Sequence, residues 1–296
     1  MKPTVAIMSP GDMGHAVGAT LRERGLRVIS ELEGRSERTR ALAARAGIEA
    51  VADDAALVRA ADVLLAIVVP AEAQALAERI ARAVRGTGAT PLYVECNAIA
   101  PQTARRIAEI VEAAGARFVD AGIIGPPPKA GASSTRFYAS GRDAAAFAHL
   151  RGFGLDVRVV GDQPGQASAL KMCYAALTKG TTALMTQLSI AAERLGVSDA
   201  LRAEFRASQP AMLERMQRAV PEMVPKAHRW VGEMEEIAGT FQACGLTPRT
   251  FAGAAELYAM VAGTALGQAS PEDWRRQARR FDDVIGELAR DRSRPE

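Results

Sequence analysis

Thr4–Met8 is an apolar run of strand length that passes at once into Ser9-Pro-Gly11-Asp12-Met13-Gly14, and a helix-like stretch from Ala16 to Arg24 follows. A tight turn between a strand and a helix aims the free N–H groups and positive end of the helix at whatever lies over the turn. A dinucleotide pyrophosphate is the ligand this arrangement serves. The usual pattern is G-x-G-x-x-G. Ser9 takes the first place here, while Gly11 and Gly14 keep the places needed for close phosphate approach and close helix–strand packing. Gly11, Asp12, Met13 and Gly14 are therefore candidate cofactor-binding residues.

Strand and helix signals then alternate. Arg27–Leu32 reads as a strand and Arg38–Ala46 as a helix ending at Gly47. Ala61–Val69 is almost wholly apolar, as a parallel strand buried on both faces requires, and its end at Val69 and Pro70 is assigned to the cofactor. Ala71–Val84 reads as a helix, Pro91–Glu95 as a strand, and Pro101–Ala114 as a helix opened by proline. Arg117–Asp120, Arg136–Ala139 and Val157–Val160 complete the strands. Repeated βα units imply a doubly wound parallel sheet, an α/β Rossmann architecture.

Strand signals stop after Gly161. Helices are expected at Pro164–Leu195, Asp199–Gln217, Pro225–Cys244, Thr250–Ala265 and Pro271–Ala289. A chain of 296 residues accommodates two domains, here a dinucleotide-binding domain over 1–161 and an all-helical substrate and dimerisation domain over 162–296. The helix from Pro164 would span about 45 Å. One small domain cannot cover all its faces, so a homodimer is expected.

Composition narrows the function. A net charge of +3 is too small to imply nucleic-acid or membrane partners, and the longest unbroken apolar run, Val63–Val69, is far short of the roughly 20 residues of a membrane helix. No signal-peptide pattern precedes the first strand. Cys96, Cys173 and Cys244 fit no metal or C-x-x-C spacing and read as buried thiols of a cytoplasmic protein, and no residue cluster suggests a metal site. A small-molecule substrate is the expected partner.

The second strand decides the cofactor. An acid at its end holds a ribose 2′-hydroxyl, whereas a nearby Arg accommodates a 2′-phosphate. The strand runs into Glu31-Leu-Glu33-Gly34-Arg35-Ser36, so both signals are present. Arg35 and Ser36 at the turn favour NADP, because a guanidinium binds phosphate bidentately and stays charged. Glu31 or Glu33 could instead face the ribose and favour NAD.

With these residues in view, the chain resembles the β-hydroxyacid dehydrogenase and 6-phosphogluconate dehydrogenase superfamily along essentially its whole length. The family's strand-end motif is similar to Glu95-Cys-Asn97-Ala-Ile-Ala-Pro101, its D-A-P-V-S-G-G substrate loop to Asp120-Ala-Gly-Ile-Ile124-Gly125-Pro126, and its G-x-x-x-x-x-K-x-x-N-N motif to Gly165-Gln-Ala-Ser-Ala-Leu-Lys171-Met-Cys-Tyr174-Ala175. The resemblance implies that Lys171 is the general acid and base and that Ile124 and Gly125 line the substrate. Three departures stand out. Ile124 replaces a carboxylate-binding serine, Ala175 replaces the asparagine four residues after the lysine, and a later Lys-Asp pair is missing where the chain reads His228-Arg229-Trp230-Val-Gly-Glu233. The Gly122–Pro128 loop looks like that of imine reductases in the same superfamily, enzymes that usually lack the lysine. The chain is also similar to a subgroup known mainly as a C-terminal domain of unknown function.

The candidate chemistry is hydride transfer. A carbonyl that receives hydride becomes an alkoxide needing a proton, and a lysine can supply it if burial lowers its pKa toward the working pH. Lys171 lies in an otherwise uncharged window, and Tyr174, three residues on, shares its helix face. Tyr174 could donate the proton or position the substrate in place of the lost asparagine. Asn97, beyond a parallel strand's C-terminal end, is expected at the cofactor's nicotinamide ribose or the substrate. Lys179, His228 and Arg229 could hold a substrate carboxylate or phosphate, although Arg229 and Glu233 have the i,i+4 spacing of a surface ion pair. His15 and His149 lack evident partners and read as structural. The leading expectation is an NADP-dependent dehydrogenase or reductase for a small hydroxy acid or related alcohol. The alternatives are an imine reductase and a non-catalytic NADP-binding redox sensor.

Overall fold

The computed structural model describes residues 2–129 and 134–291. Two compact units divide inside one helix, Met1–Met172 and Cys173–Glu296.

The first unit carries β1 (Thr4–Met8), α1 (Asp12–Glu23), β2 (Arg27–Glu31), α2 (Glu37–Arg45), β3 (Glu49–Val51), α3 (Asp54–Ala60), β4 (Val63–Ala66), α4 (Ala73–Thr87), β5 (Leu92–Glu95), α5 (Pro101–Glu112), β6 (Arg117–Ile124), β7 (Arg136–Ser140), α6 (Ala144–Ala148) and β8 (Asp156–Gly161). Among the described residues these strands form one eight-stranded sheet in the order β3-β2-β1-β4-β5-β6-β7-β8. Side chains alternate across it as a pleated strand requires. Ile7, Leu65, Val94 and Val119 pack with Val17 and Leu21 of α1 on one face. Met8, Leu64, Tyr93 and Phe118 pack with Leu57, Ile80 and Ile107 of α3, α4 and α5 on the other. The reversal of strand order at β1 and β4 leaves a crevice at their C-terminal ends, the usual ligand position in such sheets.

Two details differ from the sequence expectation. The sheet is not wholly parallel, because β6 and β7 pair antiparallel. The stretch between Ile124 and Arg136 is too short for a crossover, which takes a dozen or more residues. The short β3 and α3 go beyond that expectation; β3 is three residues long and mostly exposed, so it carries no hydrophobic pattern to read.

α7 (Gln166–Arg194) begins in the first unit and continues into the second. The second unit also contains α8 (Ser198–Ser208), α9 (Pro210–Met223), α10 (Ala227–Ala243), α11 (Arg249–Gly263), α12 (Pro271–Gln277) and α13 (Phe281–Arg290). The single helix expected over 199–217 is broken at Gln209, where the following Pro210 disfavours the helical backbone and φ/ψ is −142°/57°. That expected over 271–289 breaks at Ala278, which is left-handed at φ 43°. Cys96 is buried as expected, whereas Cys173 and Cys244 are exposed. No helix among the described residues is long and apolar enough to cross a membrane.

Candidate active site

The turn after β1 is built for close approach. Ser9, in the first glycine place, adopts a left-handed backbone at φ 58°, a conformation glycine takes without steric cost. Gly11 donates its N–H to the Ser9 carbonyl at 2.7 Å, which closes the turn. A Cβ on Gly14 would lie 3.0 Å from the Ser9 carbonyl oxygen and 3.1 Å from Ile7, so this glycine lets α1 pack directly on β1. Asp12 opens α1 and pairs with Arg38 of α2 at 2.6 Å.

A cleft of about 440 Å³ adjoins this turn, and its lining carries two cations, Arg35 and Arg79, and two acids, Glu33 and Glu72, beside Ser9, Gly34, Val68 and Val69. Arg35 makes no ion pair among the described residues. Ser36 is the N-cap of α2, its Oγ accepting from the Thr39 N–H at 3.2 Å. Pro70 sits at the first turn of a short 3₁₀ helix, Pro70–Glu72, just after the exposed Val69.

Asn97 is held on two sides. Its backbone N–H donates to Glu95 Oε1 at 3.0 Å, and its Oδ1 accepts from the Val68 N–H at 2.6 Å. Its Nδ2 is buried with no well-aligned hydrogen bond, its nearest acceptor being the Glu95 carboxyl, which the amide helps to keep charged. Buried donors are normally paired, so this amide is poised for an acceptor that a ligand brings. The left-handed turn, the glycine contact at Gly14 and the poorly paired Asn97 amide fit a dinucleotide: Gly11, Asp12, Met13 and Gly14 would hold its pyrophosphate, Arg35 and Ser36 its adenosine end, and Asn97 its nicotinamide half.

Beneath Asn97 lies a buried acidic pair not anticipated from the sequence. Glu95 and Asp120 are register partners on β5 and β6. Burial, reinforced by the Asp120 charge and opposed by the Asn97 N–H, pushes the Glu95 carboxyl up to about 8. Burial also raises the Tyr93 hydroxyl and the Cys96 thiol. Asp120 is raised by burial too, but four donors work the other way. It accepts from the Gly165 and Ser168 N–H groups at 2.9 and 3.0 Å, from Ser168 Oγ at 2.6 Å and from Ser140 Oγ at 3.0 Å. Ser140 Oγ in turn accepts from the Ala167 N–H at 3.0 Å. One carboxylate and one hydroxyl thus accept from three N–H groups at the start of α7, while the Ser168 hydroxyl donates back to Asp120. Gly165 makes this possible with φ 97° and a would-be Cβ only 3.0 Å from the Pro101 carbonyl oxygen.

One turn further along α7, Lys171 Nζ donates to the Ile123 carbonyl at 2.6 Å, which fixes the amine at the end of β6. Ile124, a candidate substrate-lining residue, is buried at the end of β6, register partner of Arg136 on β7. Gly125 follows with φ 125°, and a Cβ there would meet the Ser134 carbonyl oxygen at 2.7 Å, so the chain turns away sharply at this point.

In the second unit, Tyr174 is exposed and Ala175 buried. Lys179, a candidate substrate ligand, is largely buried and ion-paired with Glu233, its Nζ 5.1 Å from the Trp230 ring. Tyr258 donates to the Lys179 carbonyl at 2.6 Å and meets Trp230 edge-on at 5.3 Å. Burial lowers the Lys179 pKa, and Glu233 opposes the shift. Glu233 therefore does not serve the anticipated pair with Arg229. Arg229 and His228 are exposed, and partial burial with the Arg229 charge lowers the His228 pKa. His15 and His149 do have partners, the carbonyls of Gly11 at 2.8 Å and Ala146 at 3.3 Å.

Residues 4–153 match the model of the NAD binding domain of 6-phosphogluconate dehydrogenase. The chain belongs to that family. Residues 192–261 match a domain of unknown function, DUF1932. An uncharacterized 28.5 kDa protein of Methanothermus fervidus is 30% identical over 170 residues, 57% of this chain and 63% of that protein, so the match spans less than two thirds of that relative. The solved structure of conserved protein MTH1747, of unknown function and described as similar to 3-hydroxyacid dehydrogenases, is 30% identical with a TM-score of 0.66, covering 90% of this chain and 100% of that one. The Mycobacterium tuberculosis 3-hydroxyisobutyrate dehydrogenase with L-serine shares the fold at a TM-score of 0.71 and 19% identity, covering 97% and 99% of the two chains.

Proposed function

We propose that the protein is an NADP-dependent oxidoreductase that interconverts a small hydroxy acid, or a related alcohol, with its carbonyl. The observation that carries this reading is the placement of Lys171. Asp120, Ser140 and Ser168 secure the start of α7, and the Ile123 carbonyl then fixes the lysine amine. When bound, the cofactor supplies or accepts the hydride. In the reducing direction Lys171 gives a proton to the oxygen left with an electron pair by hydride arrival at carbon; in the oxidising direction it takes the hydroxyl proton. Asn97 orients the nicotinamide half through its buried amide, and Arg35 with the Ser36 hydroxyl favours a 2′-phosphate.

Assembly as a homodimer is part of the same reading. Tyr174, Leu177 and Leu184 on α7, and Leu195 just past its end, are 46, 65, 62 and 75% exposed. With Thr181, Leu188 and Ala191 they repeat at alternating spacings of three and four residues, the seam of a two-helix contact. Between Gln166 and Ala192 the helix carries charge only at Lys171 and Lys179. A second copy of α7 is the occupant such a seam fits, because a two-fold axis lets one stripe cover its own copy.

The test is a screen of hydroxy acids, carbonyls and cyclic imines by NADPH absorbance. Turnover of a hydroxy acid or carbonyl that depends on Lys171 supports the proposal. A second reading, imine reduction, is favoured by Ala175, whose buried methyl stands where the superfamily's positioning asparagine would be. Turnover of cyclic imines alone would select it, and tight NADPH binding without any turnover would favour a redox sensor.

A further inference from the structure

Glu31 ends β2, where an acid facing a ribose would repel a 2′-phosphate and welcome a 2′-hydroxyl. Its carboxylate is committed elsewhere. Oε1 accepts from the Glu33 N–H at 2.5 Å, and Oε2 lies 3.6 Å from Arg79 Nη2. The Glu31 side chain is 7% exposed and that of Arg79 35%. Arg79 comes from α4 and lines the same cleft as Arg35, with Nε 3.2 Å from Asp54 on α3. Glu31 Oε2 and Arg79 Nε and Nη2 are all buried yet lack a hydrogen-bond partner, so charge rather than aligned hydrogen bonding holds the group together. Such a half-satisfied network retains donor capacity beside the cleft.

We propose that Arg79 is a cofactor-selectivity residue: by holding the Glu31 carboxylate it disarms the acid at the end of β2, and its own charge joins Arg35 in favouring a 2′-phosphate. The assignment rests on the NADP reading above and extends it to a helix distant from the glycine turn in sequence. Its energetic logic is that of opposed signs. With Arg79 gone, the Glu31 carboxylate beside the cleft is left without its counter-charge, so that it repels the phosphate of NADPH and can accept from the free 2′-hydroxyl of NADH. A merely structural arginine would weaken both cofactors alike.

The experiment is calorimetric titration of the full chain with NADPH and NADH. Arg79→Ala is expected to raise the NADPH Kd about tenfold while the NADH Kd holds or falls, roughly 1.4 kcal/mol in the ratio. Adding Glu31→Gln should recover part of the NADPH loss and remove any NADH gain. Equal losses for both cofactors, or an unchanged ratio, would overturn the role of Arg79. If Arg79→Ala does not fold, the neutral pair Glu31→Gln with Arg79→Gln reads the same ratio, with a reduced NADPH preference expected and an unchanged one overturning the inference. A wild type that prefers NADH, or binds neither cofactor, would overturn the NADP reading itself. A wild type that prefers NADPH beside an unshifted Arg79→Ala ratio overturns only the role of Arg79.

Discussion

Gly122 lies so close to Lys171 that a Cβ on the glycine would sit 2.8 Å from the lysine's own Cβ and 3.1 Å from the Ala167 carbonyl oxygen. Strand and helix touch there through backbone, and any side chain at 122 must push α7 away from β6. Gly122→Ala is expected to destabilise the protein by about 1–3 kcal/mol, the usual cost of overpacking. It should also lower turnover, because the lysine moves with the helix. Urea unfolding measures the first effect, and a midpoint equal to wild type would show that α7 yields freely.

Lys171→Ala should leave NADPH affinity intact and reduce turnover by roughly 10²–10⁴-fold, the range for loss of a general acid–base group. Lys171→Arg should not restore it, since a guanidinium keeps its proton at any working pH. Tyr174→Phe is the companion: a large loss there beside a small one at Lys171 would move the proton to the tyrosine.

Arg35→Ala should weaken NADPH binding about tenfold, within the ~1.5–3 kcal/mol of a charged hydrogen bond, and leave NADH nearly unchanged. Parallel losses in calorimetry would remove Arg35 from the 2′-phosphate.

Glu95 gives a pH signature. Its carboxyl, with a folded value of about 8 against an ordinary 4.5, holds a proton in the native chain over a range where the unfolded chain has released it. The stability it contributes is therefore full below about pH 4.5 and is lost as pH rises through about 8. Thermal melts across pH 5–9 should show Glu95→Gln gaining on wild type as pH rises. A difference that stays constant with pH would mean that Glu95 is ionised in the fold.

Leu177→Glu with Leu184→Glu should convert a dimer into a folded monomer, read by light scattering against the 31.3 kDa chain mass. A wild type that is monomeric at micromolar concentration would remove the seam.

What the sequence makes legible is whatever neighbouring residues decide. The β1 turn, the buried β4 and the long α7 each announce themselves through local spacing. The Asp120 cluster does not, because its partners Ser140, Gly165 and Ser168 meet it only once β6, β7 and α7 are assembled. Arg79 is hidden for the same reason, since nothing within α4 points to Glu31. Local spacing even misleads at Glu233. Four residues separate it from Arg229, yet the buried Lys179 claims the carboxylate, since a desolvated cation needs a counter-charge more than an exposed one does.

The capping of α7 by Asp120 bears on the order in which the chain folds. The contacts span 45 and 48 residues, and closing a loop of that size costs entropy before any reward arrives. The Asp120 part of the cap needs β6 in place, and the Ser140 part needs β7 beside it. The lysine one turn beyond it is held by a further contact across 48 residues, to the Ile123 carbonyl, and we expect it to take its place late. A refolding chain would regain its strands and its long helix first and its lysine geometry afterwards, so recovery of activity should trail recovery of helical signal.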